Sequence, residues 1–431
     1  MTRQYKDSGI EWIGQIPMDW KMQPLAIYFA ENSKSNSDLG SVNALQFKYG
    51  EIIQKPNNGK ELTDKDRELL EKYTVVSPDD IVVNGLNLNY DLKSLRIAKV
   101  REDGIITSAY IVLRPRNGAN ASFYNYYLKA LDFQKIFHGM GVGIRLTLSY
   151  DELRSMLLAV PSFEEQQRIA DYLDKKCAEI DGLIELQEQM IAQLTDYKQS
   201  VITEAVTKGI NPDAQLVPSG IDWIGEIPNG WEIKKVKYIV DSISKGNGIT
   251  KDEVFADGDT PCVRYGEIYS KYNQAFTECY SATKIELQNS PHYFNRGDIL
   301  CAGTGELVEE IGKSIVYLGE KPCLAGGDII VISHRQNPSF LNYALNCNYA
   351  QTQKSKGKAK LKVVHISAFE IGSIFMLLPS LEEQKVIADY LDNKCSEINS
   401  LITLKQQKID ALKEYKKSLI FECVTGKKEI N

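Results

Sequence analysis

Residues 164–181 read E-E-Q-Q-R-I-A-D-Y-L-D-K-K-C-A-E-I-D, and residues 382–399 read E-E-Q-K-V-I-A-D-Y-L-D-N-K-C-S-E-I-N. The two stretches lie 218 residues apart, and the same offset relates Tyr197 to Tyr415 further along. The chain therefore contains two copies of one charged segment. These copies determine how the rest of the sequence is organised.

Each copy has the apolar spacing of a long helix. Apolar residues recur at heptad spacing with Glu, Lys and Gln between them, which is typical of a coiled-coil seam. We therefore expect each helix to pack against the other. Leu183, Tyr197, Leu401 and Tyr415 fall in the same stripe, and the positions predicted to form the seam are Leu173, Ile180, Ile184, Ile191, Leu194, Leu391, Ile398, Ile402, Ile409 and Leu412.

A Pro-Ser pair precedes each helix, at residues 161–162 and 379–380. Proline is disfavoured inside a helix, serine can cap one, and the glutamates that follow complement the positive end of the helix dipole. Gln187 and Lys405 interrupt the seam at equivalent positions, where a polar residue usually fixes register. About 40 residues at roughly 1.5 Å each predict a rod of about 60 Å, long enough to serve as a spacer.

Composition excludes several classes of protein. The 431 residues allow two to three domains, and 43% hydrophobic with 25% charged residues is ordinary for a globular protein. No apolar run is long enough to suggest a signal peptide or a membrane span, so we expect a cytoplasmic protein that does not contact membranes. The eight cysteines form no C-x-x-C pair and only four histidines occur, so we expect buried thiols and no metal site.

The net charge of −6 argues against a generally basic nucleic-acid binder. The deficit lies in the first helix region, because residues 151–209 contain 6 basic and 12 acidic residues. Any surface that faces nucleic acid must therefore be a local basic cluster.

A second repeat precedes each globular segment. Residues 8–17 read S-G-I-E-W-I-G-Q-I-P and residues 219–228 read S-G-I-D-W-I-G-E-I-P, with Trp20 and Trp231 three residues beyond. All four tryptophans lie in these two copies, and we expect them to be packing anchors. Each half of the chain thus has the order anchor, globular segment, helix.

The two globular segments differ widely and share only a few landmarks. Residues 49–52 (Y-G-E-I) match residues 265–268, and residues 78–84 (P-D-D-I-V-V-N) resemble residues 296–301 (R-G-D-I-L-C). Short β-rich runs cover 105–113, 313–318 and 329–333, while 123–137 and 338–352 have helical patterns. Each segment is expected to be a mixed α+β domain with a shared framework and different loops.

Catalytic motifs are absent from the sequence. No G-x-x-x-x-G-K-[ST] phosphate loop occurs, and no Asn-Pro-Pro or Asp-Pro-Pro stretch of the amino-methylating DNA methyltransferases is present. The glycine runs at 139–143 and 303–305 lack the third spaced glycine of a dinucleotide site. The four histidines lie in unrelated contexts, so we expect a non-catalytic protein.

The two W-I-G-x-I-P anchors and the two P-S-x-E-E-Q helices resemble the DNA-specificity subunit of type I restriction-modification systems over essentially the whole chain. The resemblance implies an α+β fold in which two target-recognition domains alternate with two long helices, paired as an antiparallel coiled coil with an internal pseudo-twofold repeat. It implies a first recognition domain at 1–160, a central spacer helix at 161–208, a second recognition domain at 209–378 and a C-terminal spacer helix at 379–431.

The same resemblance implies the function and the partners. Each domain would read one half of a split, asymmetric site in double-stranded DNA, and the helices would fix the gap between the halves. Two methyltransferase subunits would dock on the chain, with restriction motor-nuclease subunits joining for cleavage. S-adenosylmethionine, ATP and Mg would belong to these partners, so no cofactor is expected in this chain. We further expect the acidic face with Glu179, Glu185 and Glu188 to face methyltransferase subunits or solvent, because it would repel DNA.

Residues that contact DNA are harder to identify. The best cluster consists of Lys354, Lys356, Lys358, Lys360 and Lys362, and its counterpart by position in the first half contains Gly143 and Arg145. Glycine lets a backbone approach phosphates closely, and lysine supplies a salt-dependent attraction. A solvated basic loop is the alternative interpretation. Asn84, Arg264 and Tyr265, on expected strand-end loops, complete the predicted DNA-binding set, although core or turn roles explain them nearly as well.

Two other functions stay open at this stage. A self-contained DNA methyltransferase or nuclease would need a site that the motifs do not reveal. A coiled-coil adaptor without DNA specificity would show no sequence preference, and the divergence of the two globular segments argues against it. The half-site sequences and the gap length cannot be read from the chain.

Overall fold

The structure is a computed structural model that describes residues 3–56, 62–90, 95–143, 146–221, 224–288, 290–305, 307–358 and 363–430. By internal contacts the chain divides into two compact units. Unit 1 comprises residues 1–188 and 407–431, and unit 2 comprises residues 189–406. Each unit therefore contains one globular segment together with a half of each long helix.

The first half of the chain contains twelve strands and five helices among the described residues. The strands are β1 (Tyr5–Asp7), β2 (Gln15–Pro17), β3 (Lys21–Pro24), β4 (Phe29–Glu31), β5 (Leu45–Lys48), β6 (Glu51–Gln54), β7 (Thr74–Val76), β8 (Ile81–Val83), β9 (Ile97–Lys99), β10 (Gly104–Ile106), β11 (Ile111–Pro115) and β12 (Leu157–Val160). The helices are α1 (Leu25–Tyr28), α2 (Asp64–Glu71), α3 (Ala121–Phe133), α4 (Tyr150–Leu153) and the long α5 (Phe163–Lys208).

The second half contains fifteen strands and five helices within the same described ranges. The strands are β13 (Leu216–Pro218), β14 (Glu226–Pro228), β15 (Glu232–Lys235), β16 (Val240–Lys245), β17 (Thr260–Val263), β18 (Ala275–Phe276), β19 (Ser281–Thr283), β20 (Tyr293–Phe294), β21 (Ile299–Ala302), β22 (Thr304–Gly305), β23 (Ser314–Tyr317), β24 (Cys323–Ala325), β25 (Ile329–His334), β26 (Val364–His365) and β27 (Phe375–Leu378). The helices are α6 (Tyr265–Ser270), α7 (Pro338–Asn346), α8 (Asn348–Ser355), α9 (Ala368–Gly372) and the long α10 (Leu381–Val424).

Single 3-10 turns connect several of these elements, at Leu88–Tyr90, Ile136–Gly139, Val236–Tyr238, Lys251–Glu253, Ile285–Leu287 and Val308–Glu310. The predicted helix at 338–352 is interrupted at Cys347, whose extended backbone separates α7 from α8. None of the helices that the structure describes is long and apolar enough to cross a membrane.

The central sheets of the two units share one framework. In unit 1 the strand order is β4-β11-β8-β9, and in unit 2 it is β16-β25-β21-β23-β18. The paired strands β4–β11–β8–β9 and β16–β25–β21–β23 are antiparallel to their neighbours in both units. A helix packs against each sheet, α3 on β9 and α7 on β23. Unit 2 adds a second sheet, β19-β17-β24-β20, and an apolar cluster in which Val263 and Ala325 of this sheet join Leu300 and Val331 of the central sheet.

The E-E-Q motif holds each globular segment to its long helix. In unit 1 the Gln166 side chain accepts a hydrogen bond from the Asn120 backbone N–H at 3.0 Å and donates one to the Pro161 carbonyl at 3.1 Å. In unit 2 Gln384 makes the same two bonds, to Asn337 and Pro379, at 3.0 Å each. Because Asn120 and Asn337 cap α3 and α7, each glutamine couples a helix of its globular segment to the first turn of α5 or α10.

A tyrosine–aspartate bond repeats the same coupling about two helical turns further along each long helix. Tyr126 donates to Asp174 at 2.7 Å in unit 1, and Tyr343 donates to Asp392 at 2.9 Å in unit 2. Burial raises the pKa of both tyrosines, with the aspartates adding to the shift, so both phenols remain donors at neutral pH. These bonds explain why the second aspartate of the D-Y-L-D motif is present in both copies of the repeat.

The long helices contact each other within each unit. In unit 1 the cluster that contains Leu173, Cys177 and Ile180 of α5 also contains Leu419 and Cys423 of α10. Lys416 forms an ion pair with Asp181 at 2.6 Å there, while Lys428 beyond the end of α10 lies 5.7 Å from the ring of Tyr172. Residue numbers increase along α5 in the direction in which they decrease along α10, so the two segments run antiparallel within this unit.

Unit 2 contains an equivalent helix contact. Val201 and Ile202 of α5 share an apolar cluster with Leu391 and Cys395 of α10. Lys198 donates to Asn399 at 2.9 Å. These two residues are the 218-residue equivalents of Lys416 and Asp181, so the same polar contact occurs once in each unit.

The predicted seam positions are buried or partly buried, whereas four other residues of the same apolar stripe are exposed. Leu173, Ile180, Leu391, Ile398 and Ile409 are buried, whereas Ile184, Ile191, Leu194, Ile402 and Leu412 are partly buried. The remaining stripe residues correct the prediction, because Leu183, Tyr197, Leu401 and Tyr415 are 45–54% exposed. A stripe that follows Leu173, Cys177, Ile180 and Ile184 is narrow, and residues on its flank stay outside the contact.

One of the two landmarks shared between the globular segments does not share a structure. Residues 49–52 form the turn and second strand of the β5–β6 hairpin, whereas residues 265–268 open helix α6. In unit 2 the Glu267 side chain accepts from the Arg264 backbone N–H, which starts the helix. The other landmark is shared: Asp79 and Gly297 both have positive φ, and β8 and β21 follow.

The coupling role of Gln384 predicts a loss of stability when this residue is substituted. Gln384→Leu would remove the partners of the partly buried Asn337 N–H and the buried Pro379 carbonyl, at a cost of up to about 1–3 kcal/mol per group. We expect the thermal unfolding midpoint to fall by several degrees. Lys385→Leu, one residue away and exposed, is the matched control. Equal midpoints for the two variants would contradict the coupling role.

Candidate nucleic-acid interface

A rigid loop follows strand β8 in unit 1. The guanidinium of Arg96 donates to the carbonyls of Asn84 at 2.9 Å, Leu86 at 2.7 Å and Asn87 at 3.2 Å. The Oδ1 of Asn84 accepts from the Leu86 N–H at 3.2 Å, and its Nδ2 has no hydrogen bond within the described residues. We refer to residues 84–88 as the strand-end loop of unit 1.

A second segment packs against this loop. The described residues 140–143 and 146–148, which we call the arm of unit 1, include Gly143 with a φ of +81°, and Val142 pairs with Thr147. The Leu148 N–H donates to the Gly85 carbonyl at 2.9 Å, and a Cβ added at Gly85 would overlap the Leu148 carbonyl. The structure thus brings the segments of Asn84 and Gly143 together. Arg145 lies outside the described residues.

Unit 2 has the same pair of segments. Its strand-end loop (the described residues 303–305 and 307) pairs with its arm (the described residues 356–358 and 363–366) through strands β22 and β26. The Ile366 N–H donates to the Gly303 carbonyl at 2.9 Å, and these residues are the 218-residue equivalents of Leu148 and Gly85. Gly141 and Gly143 are therefore part of the arm of unit 1, and Gly303 and Gly305 are part of the strand-end loop of unit 2.

The exposed side chains on the loop and arm of unit 2 differ in type from those on the loop and arm of unit 1. His365 is exposed, and its Nδ1 lies 3.0 Å from the Thr304 hydroxyl, which fixes the ring. The Nε2 of His365 has no partner in the described part of the chain. Tyr269 of α6 donates to the Thr304 carbonyl at 2.9 Å and so holds the loop from the other side.

The lysine cluster divides into residues with different environments. Lys354 corrects the prediction: it is 2% exposed and its Nζ donates to the Gly312 carbonyl at 2.6 Å. Burial lowers the pKa of this lysine. Its place at the end of α8 turns it inward, so it serves the fold and does not lie on the surface.

Two of the other lysines, Lys356 and Lys358, lie on the arm. Lys356 is exposed, and Lys358 forms an ion pair with Glu370 at 2.7 Å and also donates to the His365 carbonyl. Lys358 is therefore largely occupied in holding the arm to α9. Lys360 and Lys362 lie outside the described residues.

Arg264 and Tyr265 stand at the start of α6. The guanidinium of Arg264 forms an ion pair with the buried carboxylate of Glu267 at 3.2 Å. This pairing indicates that Arg264 has mainly a structural role. Tyr265 is 42% exposed. Through Tyr269 the same helix contacts the strand-end loop, so Tyr265 lies one helical turn from that contact.

Sequence reasoning missed Arg96, Thr304 and His365. The 218-residue offset maps the predicted Asn84 and Arg145 onto Ala302 and Val363, two residues before Thr304 and His365, so it indicates their segments and not the residues themselves. Nothing in the sequence marks Arg96 as the residue that holds the unit 1 loop. No group of three or more His, Cys, Asp or Glu suited to a metal ion occurs in the described ranges.

Comparison with known proteins identifies the family. The profile of the type I restriction modification DNA specificity domain matches residues 97–196 and 228–414. These two matches cover more than half of the chain and include both arms. The chain belongs to this family.

A similar protein of the same family agrees with this family assignment. The type I restriction enzyme MjaVIII specificity subunit of Methanocaldococcus jannaschii is 24% identical over 373 residues, covering 83% of this chain and 82% of that protein. The likeness favours the DNA specificity function over that of an adaptor without sequence preference.

Two experimental structures are similar in fold. A chain from a study of complex assembly and conformational transition of the type I R-M system matches with a TM-score of 0.70 at 15% identity, covering 95% of this chain and 98% of that one. The HsdS subunit from Thermoanaerobacter tengcongensis matches with a TM-score of 0.53 at 18% identity, with the same coverage. At these identities the likeness concerns the fold.

The different environments of Lys354 and Lys356 predict different effects on DNA binding. Lys356→Ala removes an exposed charge, so the slope of log affinity against log salt should become shallower by about 0.9. Lys354→Met should leave that slope unchanged and lower stability, because the Gly312 carbonyl loses its partner. Binding titrations at several salt concentrations, with a thermal melt of each variant, measure both. A reversed pattern would contradict the assignment.

Proposed function

We propose that this chain is the non-catalytic DNA specificity subunit of a type I restriction-modification complex, in which each unit reads one half of a split asymmetric site. The observation that carries the proposal is the repeated pairing of a strand-end loop with an arm, at the same place on the same sheet framework in both units. A shared scaffold with different residues at one pair of loops is how a duplicated protein would read two different sequences.

The chemistry of the two loop-and-arm pairs suits base and phosphate contacts. In unit 1 the free amide Nδ2 of Asn84 is a donor, and a side-chain amide can bond to adenine in the major groove. In unit 2 the fixed ring of His365 offers a nitrogen, and Lys356 on the arm offers a charge for phosphates. Gly143 lets the arm of unit 1 approach closely, and we propose that Arg145, Lys360 and Lys362 also contact DNA.

The long helices supply the second part of the proposal. We infer that they form an antiparallel coiled coil with a pseudo-twofold axis. The equivalent contacts Asp181–Lys416 and Asn399–Lys198, one in each unit, support this symmetry. A twofold arrangement matches that of duplex DNA, and the divergence of the two loop-and-arm pairs makes the site asymmetric. The length of the pair would then fix the gap between the half-sites.

The outer faces of the helices are the surface we propose for methyltransferase subunits. Leu183 and Leu186 of α5 are exposed among the acidic residues Glu179, Glu185 and Glu188. The equivalent positions Leu401 and Leu404 of α10 are exposed as well. Acids repel DNA and exposed leucines favour a protein partner, so this face suits two equivalent protein subunits.

The partners would supply the chemistry. We propose that S-adenosylmethionine is bound by the methyltransferase subunits, that ATP and Mg are bound by the restriction motor-nuclease subunits, and that the assembly acts in the cytoplasm. The side chains described above hold loops, fix registers and present hydrogen-bonding groups. They provide recognition, and no step of group transfer is assigned to them.

Methylation mapping tests the proposal. A host that expresses this chain with its cognate methyltransferase subunit should acquire a split motif, with two different half-sites and one gap length. A matched host that lacks this chain should show no such motif. If the partner bound but no motif appeared, the DNA-reading function would be refuted. Methylation by this chain without a partner would show instead that it is an enzyme.

A further inference from the structure

Trp20 contacts the first turn of one long helix in unit 1. Its indole Nε1 donates to Oε2 of Glu165 at 2.9 Å, and Oε1 of the same carboxylate accepts from Arg3 at 2.7 Å. Trp20 is fully buried. Glu165 is the second glutamate of the E-E-Q motif, so the motif binds the anchor repeat through this residue as well as α3 through Gln166.

The same indole contacts the chain just beyond the end of the other helix. Gly426 lies two residues after α10 and has a φ of +72°. A Cβ added there would lie 3.1 Å from Cζ2 of Trp20 and 2.5 Å from Cδ of Pro17. Trp20 is therefore packed between the beginning of α5 and the end of α10.

Trp231 occupies the equivalent place in unit 2. Its Nε1 donates to Oε2 of Glu383, in the first turn of α10, at 3.1 Å. Gly209, directly after α5, has a φ of +75°, and a Cβ there would lie 3.4 Å from Cζ2 of Trp231 and 3.5 Å from Oε1 of Glu383. Each tryptophan thus contacts the start of one helix and the end of the other.

These contacts differ in kind from the apolar contacts along the helices, and the buried Trp20–Glu165 bond also differs from the partly exposed Asp181–Lys416 ion pair, which water screens. Apolar burial is non-directional and changes little when two helices slide slightly past each other. A hydrogen bond from an indole to a carboxylate depends on distance and angle, and the packing of a ring on a glycine backbone leaves little room for a shift. The tryptophans are thus the side chains suited to fixing the axial register of the helices.

We propose that Trp20 and Trp231, with Glu165 and Glu383, are positioning residues that set the gap length of the recognised DNA site. Each clamp, meaning one tryptophan with its glutamate and glycine, ties a recognition domain to both helices at once. This inference rests on the proposed function. A DNA site with a wrong gap can then be bound only if a clamp is distorted. A variant with a weakened clamp should therefore bind such sites at a lower cost in free energy.

The experiment uses the full chain with its methyltransferase subunit and a DNA library. The library contains both half-sites separated by the native gap or by a gap one base pair longer or shorter. Glu383→Ala removes the acceptor of the Trp231 indole, Trp231→Phe removes the donor and keeps a ring, and Glu383→Gln keeps an acceptor. Glu382→Ala is the matched control, because this exposed neighbour has no hydrogen-bond or ion-pair partner in the described part of the chain.

The ratio of methylation at the native gap to that at the altered gaps is the readout. Glu383→Ala and Trp231→Phe should lower this ratio about tenfold, the size expected for loss of one hydrogen bond to a charged group. Glu383→Gln should restore most of the ratio, Glu382→Ala should not change it, and the half-site sequences should stay the same.

Two results would overturn the inference. If the ratio stayed at the wild-type value while the thermal midpoint fell, the tryptophans would be packing residues alone. A changed half-site sequence would show that they act on base reading and not on spacing. The wild-type chain is measured in parallel, and absence of any split motif there would refute the proposed function itself.

Discussion

Burial of the apolar stripes of two long helices is the constraint on which the structure depends. A helix of 46 residues with a narrow apolar stripe gains little stability alone, because its stability comes from tertiary packing of that stripe. The stripe of α5 is covered in unit 1 by the end of α10 and in unit 2 by its beginning. Each compact unit therefore needs residues from both copies of the repeat, although these lie far apart in the chain.

The duplicated polar contacts explain why the helix motif is conserved between the copies while the globular segments diverge. In each copy the E-E-Q and D-Y-L-D residues bind the anchor tryptophan, the capping asparagine and a tyrosine of the globular segment. Every one of these contacts involves a residue that is the same in the other copy. The described residues of the strand-end loops and arms make no such contacts with the helices, so their sequences are free to differ.

Much of the framework could be predicted from the sequence because it is repeated. The offset of 218 residues located both long helices, and heptad spacing identified Leu173, Ile180, Leu391 and Ile398 as buried. The pattern could not separate these from Leu183 and Tyr197, because a helical stripe drawn from spacing is wider than the face that packing covers. The match between residues 49–52 and 265–268 misled, since a hydrogen bond from Arg264 to Glu267 turns one copy into a helix.

The candidate interface was harder to predict than the framework. A run of lysines indicated the arm of unit 2, yet the sequence could not show that Lys354 turns inward to the Gly312 carbonyl while Lys356 stays exposed. Asn84 and Gly143 were selected separately, and only the pairing of their segments through Gly85 and Leu148 brought them to one surface. Such pairings depend on contacts between distant residues, which local patterns do not encode.

The central claim is that each unit reads its own half-site and that the two units are related by the internal symmetry. The most direct test is a symmetrised chain in which a second copy of residues 219–380 replaces residues 8–162, expressed with the methyltransferase subunit and mapped for methylation. The account predicts a palindromic split motif, with the half-site of unit 2 on both sides as an inverted repeat. A motif that kept the original half-site of unit 1, or that stayed asymmetric, would contradict it.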